Sequence, residues 1–246
     1  MENFIKKFSE TGINDIAEVG GKNASLGEMF SHLTGKGLLI PNGFAITASA
    51  YRYFISDNHL ADRLNELMKG LDRTNYSNLA DTGAKARKLI MGGHMPSDLA
   101  FAITDAYDYL FDNDDQQVAV RSSAAAEDLP DASFAGQHES FLNVKGHLSL
   151  LYSVRKCYAS LYTDRAIKYR EDKGFDHDKV FLSVGVQQMV RADIGCSGVG
   201  FTLEPESGFR DVVHLAGVWG LGENIVQGTV TPDEFLVFKR SLKNQK

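Results

Sequence analysis

The sequence predicts a mixed fold of class α+β, with an α/β N-terminal lobe and a β-rich C-terminal part. Two patterns carry that expectation. Helical apolar periodicity dominates up to a polar turn at Asp112-Asn113-Asp114-Asp115, and β-rich runs separated by glycine and proline turns dominate the final third. A third observation is size: 246 residues, 43% of them hydrophobic, can bury one large core or two small ones. Lobes of residues 1–112 and 113–246 are expected, with room for a discontinuous arrangement.

Element by element, a strand is expected over 4–8 and a helix over 21–33, followed by a strand over 43–47 after Pro41. Helices are expected over 48–54, 60–71 and 79–91, and Pro96-Ser97-Asp98 starts another that reaches 111. Beyond the acidic turn, Val118-Ala119-Val120 reads as a strand leading into a loop of small residues over 122–136. A strand over 140–144 precedes one long amphipathic helix over 148–171, closed by Lys173-Gly174. Strands follow over 180–190, 198–203, 212–218 and 234–239.

Charge and cysteine content narrow the function classes. The 26 Lys and Arg against 32 Asp and Glu leave a net charge of -6, which argues against a nucleic-acid partner or an anionic membrane surface. Any anionic ligand then needs a local site. The two cysteines, Cys157 and Cys196, are too few for a disulfide framework, and a reducing cytoplasm suits them. The N-terminus lacks an apolar signal core, and no apolar run approaches the ~18 residues of a membrane span.

Four segments carry candidate chemistry. Gly20-Gly21-Lys22 stands where a helix begins, so free amides and a mobile ammonium can meet a phosphate, although a helix-start glycine with a solvent lysine fits equally. Arg121 ends an apolar strand before the hydroxyls of Ser122 and Ser123, and the loop returns through Gly136 to Ser140, the layout of a phosphate clamp. Glu127 and Asp128 within that loop read as a solvated acidic turn, with metal assistance as the alternative. Gln187, Met189 and Val190 offer a strand end with an apolar wall for a purine, or a plain core strand. Trp219-Gly220-Leu221-Gly222-Glu223 is a strand-to-helix turn. Of seven histidines only His138 falls in a candidate site, and none stands at metal-ligand spacing.

Taken together, these segments resemble the N-terminal ATP-grasp domain shared by phosphoenolpyruvate synthases, pyruvate phosphate dikinases and rifampicin phosphotransferases. The resemblance runs through nearly the whole chain. It is most specific at residues 20–29, 120–144 and 197–202, and residues 126–136, 206–211 and 219–228 are most similar to the synthase branch. It implies an ATP-grasp-like nucleotide-binding domain that uses ATP and Mg2+. In the family, a phosphoryl group passes from ATP to a histidine on a swivelling domain, which then visits a pyruvate-binding domain. By resemblance, Lys22 and Arg121 hold phosphates, Gly136 and Ser140 line the phosphate loop, and Gln187, Met189 and Val190 border the adenine. Thr202 and Glu223 lie near the nucleotide by the same resemblance.

Three positions depart from the family pattern: Ala125 and Ser140 where threonine is usual, and Gly200 where methionine often stands. The segments that hold magnesium and a further phosphate-binding arginine in the family are expected beyond Lys246, as are the phosphohistidine and pyruvate domains. The chain by itself is therefore expected to make no phosphoenolpyruvate. A rifampicin- or glucan-type phosphotransferase, or an ATP-binding module without turnover, remains the alternative.

Overall fold

The computed structural model describes residues 3–110, 116–126 and 139–243, which form two compact units, Met1–Met189 and Val190–Lys246. In the first unit the described elements are β1 (Ile5–Lys7), α1 (Ile16–Leu33), β2 (Gly43–Ile46), α2 (Ala48–Asp57), α3 (Ala61–Lys69), α4 (Leu79–Gly92) and α5 (Ser97–Leu110). Then come β3 (Val118–Ala126), β4 (Ser140–Val144), α6 (His147–Ser160), α7 (Asp164–Lys173) and β5 (Val180–Gln188). The five strands form an antiparallel sheet in the order β1-β2-β5-β3-β4. That sheet crosses the division expected near residue 112, because β1 and β2 pair with strands from beyond it.

Alternation along the strands gives the sheet two unlike faces. Val118, Val120, Val180, Leu182, Val184, Val186, Phe44 and Ile46 join one large core with residues of α2 to α6, including Phe54, Ile90, Ile103 and Tyr158. The opposite face carries small or polar residues. In register across it lie Ala45, Gly185, Arg121 and Ser140, with Ser183 beside Ser123 in the next row. Helix α1 packs here, across β3 and β5, and Val19 and Ala24 form a small separate cluster with Ala45.

Three local expectations change. Helix α1 starts at Ile16 and is broken at Gly20, whose φ of 73° and ψ of 159° are not helical. Strand β3 runs on through Ala126, where Ala126 pairs with Val180, so the first residues assigned to a small-residue loop are sheet. The single helix expected over 148–171 is two, because the Thr163 hydroxyl accepts from the Ala166 amide and starts α7 afresh. Gly174 ends α7 in the left-handed conformation, in line with the expected stop.

In the second unit, β6 (Cys196–Phe201), β7 (Val212–Trp219) and β8 (Asp233–Phe238) form an antiparallel sheet, with α8 (Glu223–Val226) between β7 and β8 and α9 (Lys239–Lys243) after them. Trp219, the single tryptophan of the chain, is 82% exposed at the end of β7. No helix among the described residues is long and apolar enough to cross a membrane.

Candidate functional site

The break in α1 determines what the helix offers the sheet. A side chain at Gly20 would run into Ser123 Oγ and stand 2.6 Å from the Ala124 carbonyl oxygen, so only glycine lets this turn lie against β3. Gly21 next to it has nothing within 4 Å. Of the glycine pair, Gly20 serves close approach, while Gly21 faces open space. About two turns on, a side chain at Gly27 would meet the Thr11 carbonyl, which presses α1 down at a second point.

Lys22 and Arg121 are brought together by this packing. Lys22 Nζ donates to the Ser122 carbonyl at 3.4 Å, beside Arg121 on β3. Burial, followed by the neighbouring guanidinium of Arg121, pulls the Lys22 ammonium below its ordinary 10.5. The residue keeps exposed surface while its ammonium end is tucked against the strand. Among the described residues no carboxylate forms an ion pair with either cation. Two adjacent positive charges, one partly stripped of water, favour an anionic ligand with several negative oxygens.

Ser140 pairs with Arg121 in register on β4 and is exposed. Gly136, Glu127, Asp128 and His138 lie outside the described residues. Gln187 is buried and its Nε2 donates to the Pro41 carbonyl at 3.2 Å, so the side chain is already held within the fold. Met189 is half-buried at the end of β5, and its amide donates to the Gln117 carbonyl at 3.0 Å. Val190, Thr202 and Glu223 belong to the second unit. There Val190 is exposed, the Thr202 carbonyl accepts from Lys239 Nζ at 2.5 Å, and Glu223 Oε1 accepts from Gln227 Nε2 at 2.7 Å.

Sequence reasoning gave Asn23 no part in the site. Asn23 is buried, with its Nδ2 donating to the Val19 carbonyl and to Ser183 Oγ, each at 3.0 Å. Ser123 is buried with its hydroxyl unpaired beneath Gly20. Cys157 on α6 is buried, and burial pushes its thiol far up, so it stays protonated and neutral. The glycine pair marked the restart of the helix near Gly21, whereas the turn of helix before it, from Ile16, gave no signal that was read.

A second polar cluster lies at the end of α7. Arg170 is buried, and its Nε donates to His177 Nδ1 at 2.8 Å, which leaves Nε2 of that ring to donate to Glu171 Oε1 at 2.8 Å. Arg73 completes the chain through two bonds to Glu171, at 2.7 and 3.1 Å. Burial, then the charge of Arg170, lowers the His177 pKa below its ordinary 6.5. No group of three or more His, Cys, Asp or Glu among the described residues could hold a metal ion.

Residues 16–246 match the family model described as pyruvate phosphate dikinase, AMP/ATP-binding domain. The chain belongs to this AMP/ATP-binding domain family. Phosphoenolpyruvate synthase of Helicobacter pylori is 50% identical over 246 residues, covering 99% of the chain and 30% of that protein. Phosphoenolpyruvate synthase of Escherichia coli is 49% identical over 236 residues, covering 96% and 30%. A probable phosphoenolpyruvate synthase of Methanocaldococcus jannaschii is 46% identical over 243 residues, covering 98% and 20%. The chain thus spans about 30% of the length of the first two. The relatives favour the synthase branch over the rifampicin and glucan alternatives.

Proposed function

We propose that this chain grips the phosphates of ATP with Lys22 and Arg121, as the nucleotide-binding part of a phosphoenolpyruvate synthase. The observation that carries the reading is the juxtaposition of these two cations without a described counter-ion, in a chain of the AMP/ATP-binding domain family. The whole reaction converts ATP, pyruvate and water into AMP, phosphoenolpyruvate and phosphate. ATP supplies the phosphoryl group, which a histidine on a separate swivelling domain carries to a pyruvate-binding domain.

On this reading the two cations neutralise negative charge that shifts between phosphate oxygens as the phosphoryl group leaves. Gly136 and Ser140 line the phosphates, the latter through its hydroxyl. Gln187, Met189 and Val190 border the adenine, Gln187 as packed wall because its amide is committed to Pro41. Thr202 and Glu223 take places near the nucleotide on the family resemblance alone. Mg2+ belongs to the proposed reaction, but the described residues do not supply a cage for it. The two lobes of a grasp domain, and a cytoplasmic location, are proposed with the synthase assignment.

Calorimetric titration of the chain with ATP and magnesium tests the proposal. Lys22→Ala and Arg121→Ala should each weaken binding by about tenfold or more, the scale of one lost charge-assisted hydrogen bond. Unchanged affinity in both variants would remove the phosphate role from this pair.

A further inference from the structure

We infer that Asn23 is a positioning residue, and that its fit into the slot left by Gly185 sets where the Lys22 ammonium stands beside Arg121. The inference rests on the nucleotide reading of Lys22 for its consequence, but not for its geometry. Asn23 follows Lys22 directly on the turn that restarts α1. Its amide makes two bonds in different directions, back to the Val19 carbonyl across the break and down to Ser183 Oγ on β5. The first ties the two halves of the helix together, and the second ties the restarted half to the sheet.

The slot is equally specific. A side chain at Gly185 would collide with Asn23 Oδ1, and the next nearest atoms, at 3.2 and 3.5 Å, also belong to Asn23. Gly185 is therefore empty for the sake of one amide. It pairs in register with Arg121, so the residue that receives Asn23 and the residue beside Lys22 share one row of the sheet. With Gly20 pressed against Ser123 in the next row, the turn between them is located at both ends. Lys22 lies between these points and inherits its placement from them. Asn23 itself is 2% exposed and cannot reach a ligand, so it acts through its neighbour.

The test uses the chain with Asn23→Ala, the gentler Ser183→Ala, Gly185→Ala, the pair Asn23→Ala with Gly185→Ala, and Asn23→Ala added to Lys22→Ala. Two readouts are taken: ATP affinity in the presence of magnesium, and the titration of Lys22 by NMR of 13C-labelled lysine, which needs no nucleotide. Asn23→Ala should weaken ATP binding roughly tenfold and let the Lys22 pKa climb back toward 10.5. Ser183→Ala should move both in the same direction by less. In the Lys22→Ala background, Asn23→Ala should cause no further loss of affinity.

Gly185→Ala alone should destabilise the fold, and removing the Asn23 amide should restore its melting temperature toward that of Asn23→Ala, because the collision is with that amide only. An unshifted Lys22 titration in both Asn23→Ala and Ser183→Ala would overturn the inference, as would affinity losses that add in the Lys22→Ala background. If the unaltered chain fails to bind ATP while Lys22 still responds to Asn23→Ala, the nucleotide reading falls and the positioning role stands.

Discussion

The two faces of the five-stranded sheet are made from the same strands and obey opposite rules. On one face, branched and aromatic side chains fill the space between sheet and helices, and Leu182, Val184 and Val186 are wholly buried there. On the other, Ala45, Gly185 and Ser183 keep the surface low so that α1 can lie close, and its polar groups include Arg121, Ser123 and Ser140. Large side chains on the first face gain stability from burial. Small ones on the second give up that gain in exchange for letting a helix lie close, with Lys22 reaching the strand beside Arg121. Stability and site geometry are thereby assigned to different sides of one element.

If that division holds, variants on the two faces should fail differently. The largest expected effect is Leu182→Ala, which opens a cavity in the main core and should lower unfolding free energy by about 2–5 kcal/mol in denaturant titration. The fraction that stays folded should bind ATP normally; a selective loss of affinity would erase the distinction. Gly20→Ala comes next. Its backbone conformation, nearly exclusive to glycine, costs a side-chain-bearing residue about 1–3 kcal/mol, and the new methyl meets Ser123 as well. Here affinity should fall together with stability, because the turn carrying Lys22 must move.

Ser140→Ala should be milder, with the melting temperature kept and ATP affinity reduced by roughly 2- to 10-fold, the range of one neutral hydrogen bond. Serine restored as threonine should recover it. The smallest effect belongs to neither face. Burial, then the charge of Arg170, whose Nε donates to His177 Nδ1, keeps the His177 pKa below the unfolded value of 6.5. The unfolded chain then binds more protons, and stability should be constant above about pH 6.5 and decline as pH falls from there toward the folded pKa. The decline is limited because Glu171 faces the same ring and favours its charged form. Urea titrations at several pH values should show that slope in the native chain and a flatter one in His177→Gln.

Periodicity made much of the fold legible. The strand at Ser140–Val144 has the bounds expected from alternation alone, and α2 to α5 stand where apolar spacing put them, within about three residues at their ends. What periodicity could not reveal was interruption. The Thr163 cap sits inside an unbroken amphipathic pattern, because a break that keeps the same face buried leaves the pattern intact, while the helical turn before Gly20 fell outside the helix expected from residue 21. The β3 extension was hidden for the opposite reason: Ser122 to Ala126 are small, and small residues read as loop until a partner strand such as β5 is known. For the site, residue chemistry picked out Lys22 and Arg121 but not Asn23, whose role depends on an empty position 162 residues away in the sequence.

The location of the single tryptophan has a practical use. Trp219 stands in the second unit, while all seven helices longer than five residues among those described stand in the first. One chain thus carries two natural reporters: indole fluorescence follows the sheet of β6 to β8, and helical ellipticity follows the other unit. Melting curves from the two signals that superimpose would mean that the units lose structure as one cooperative body; curves that separate would give each its own transition without any added label.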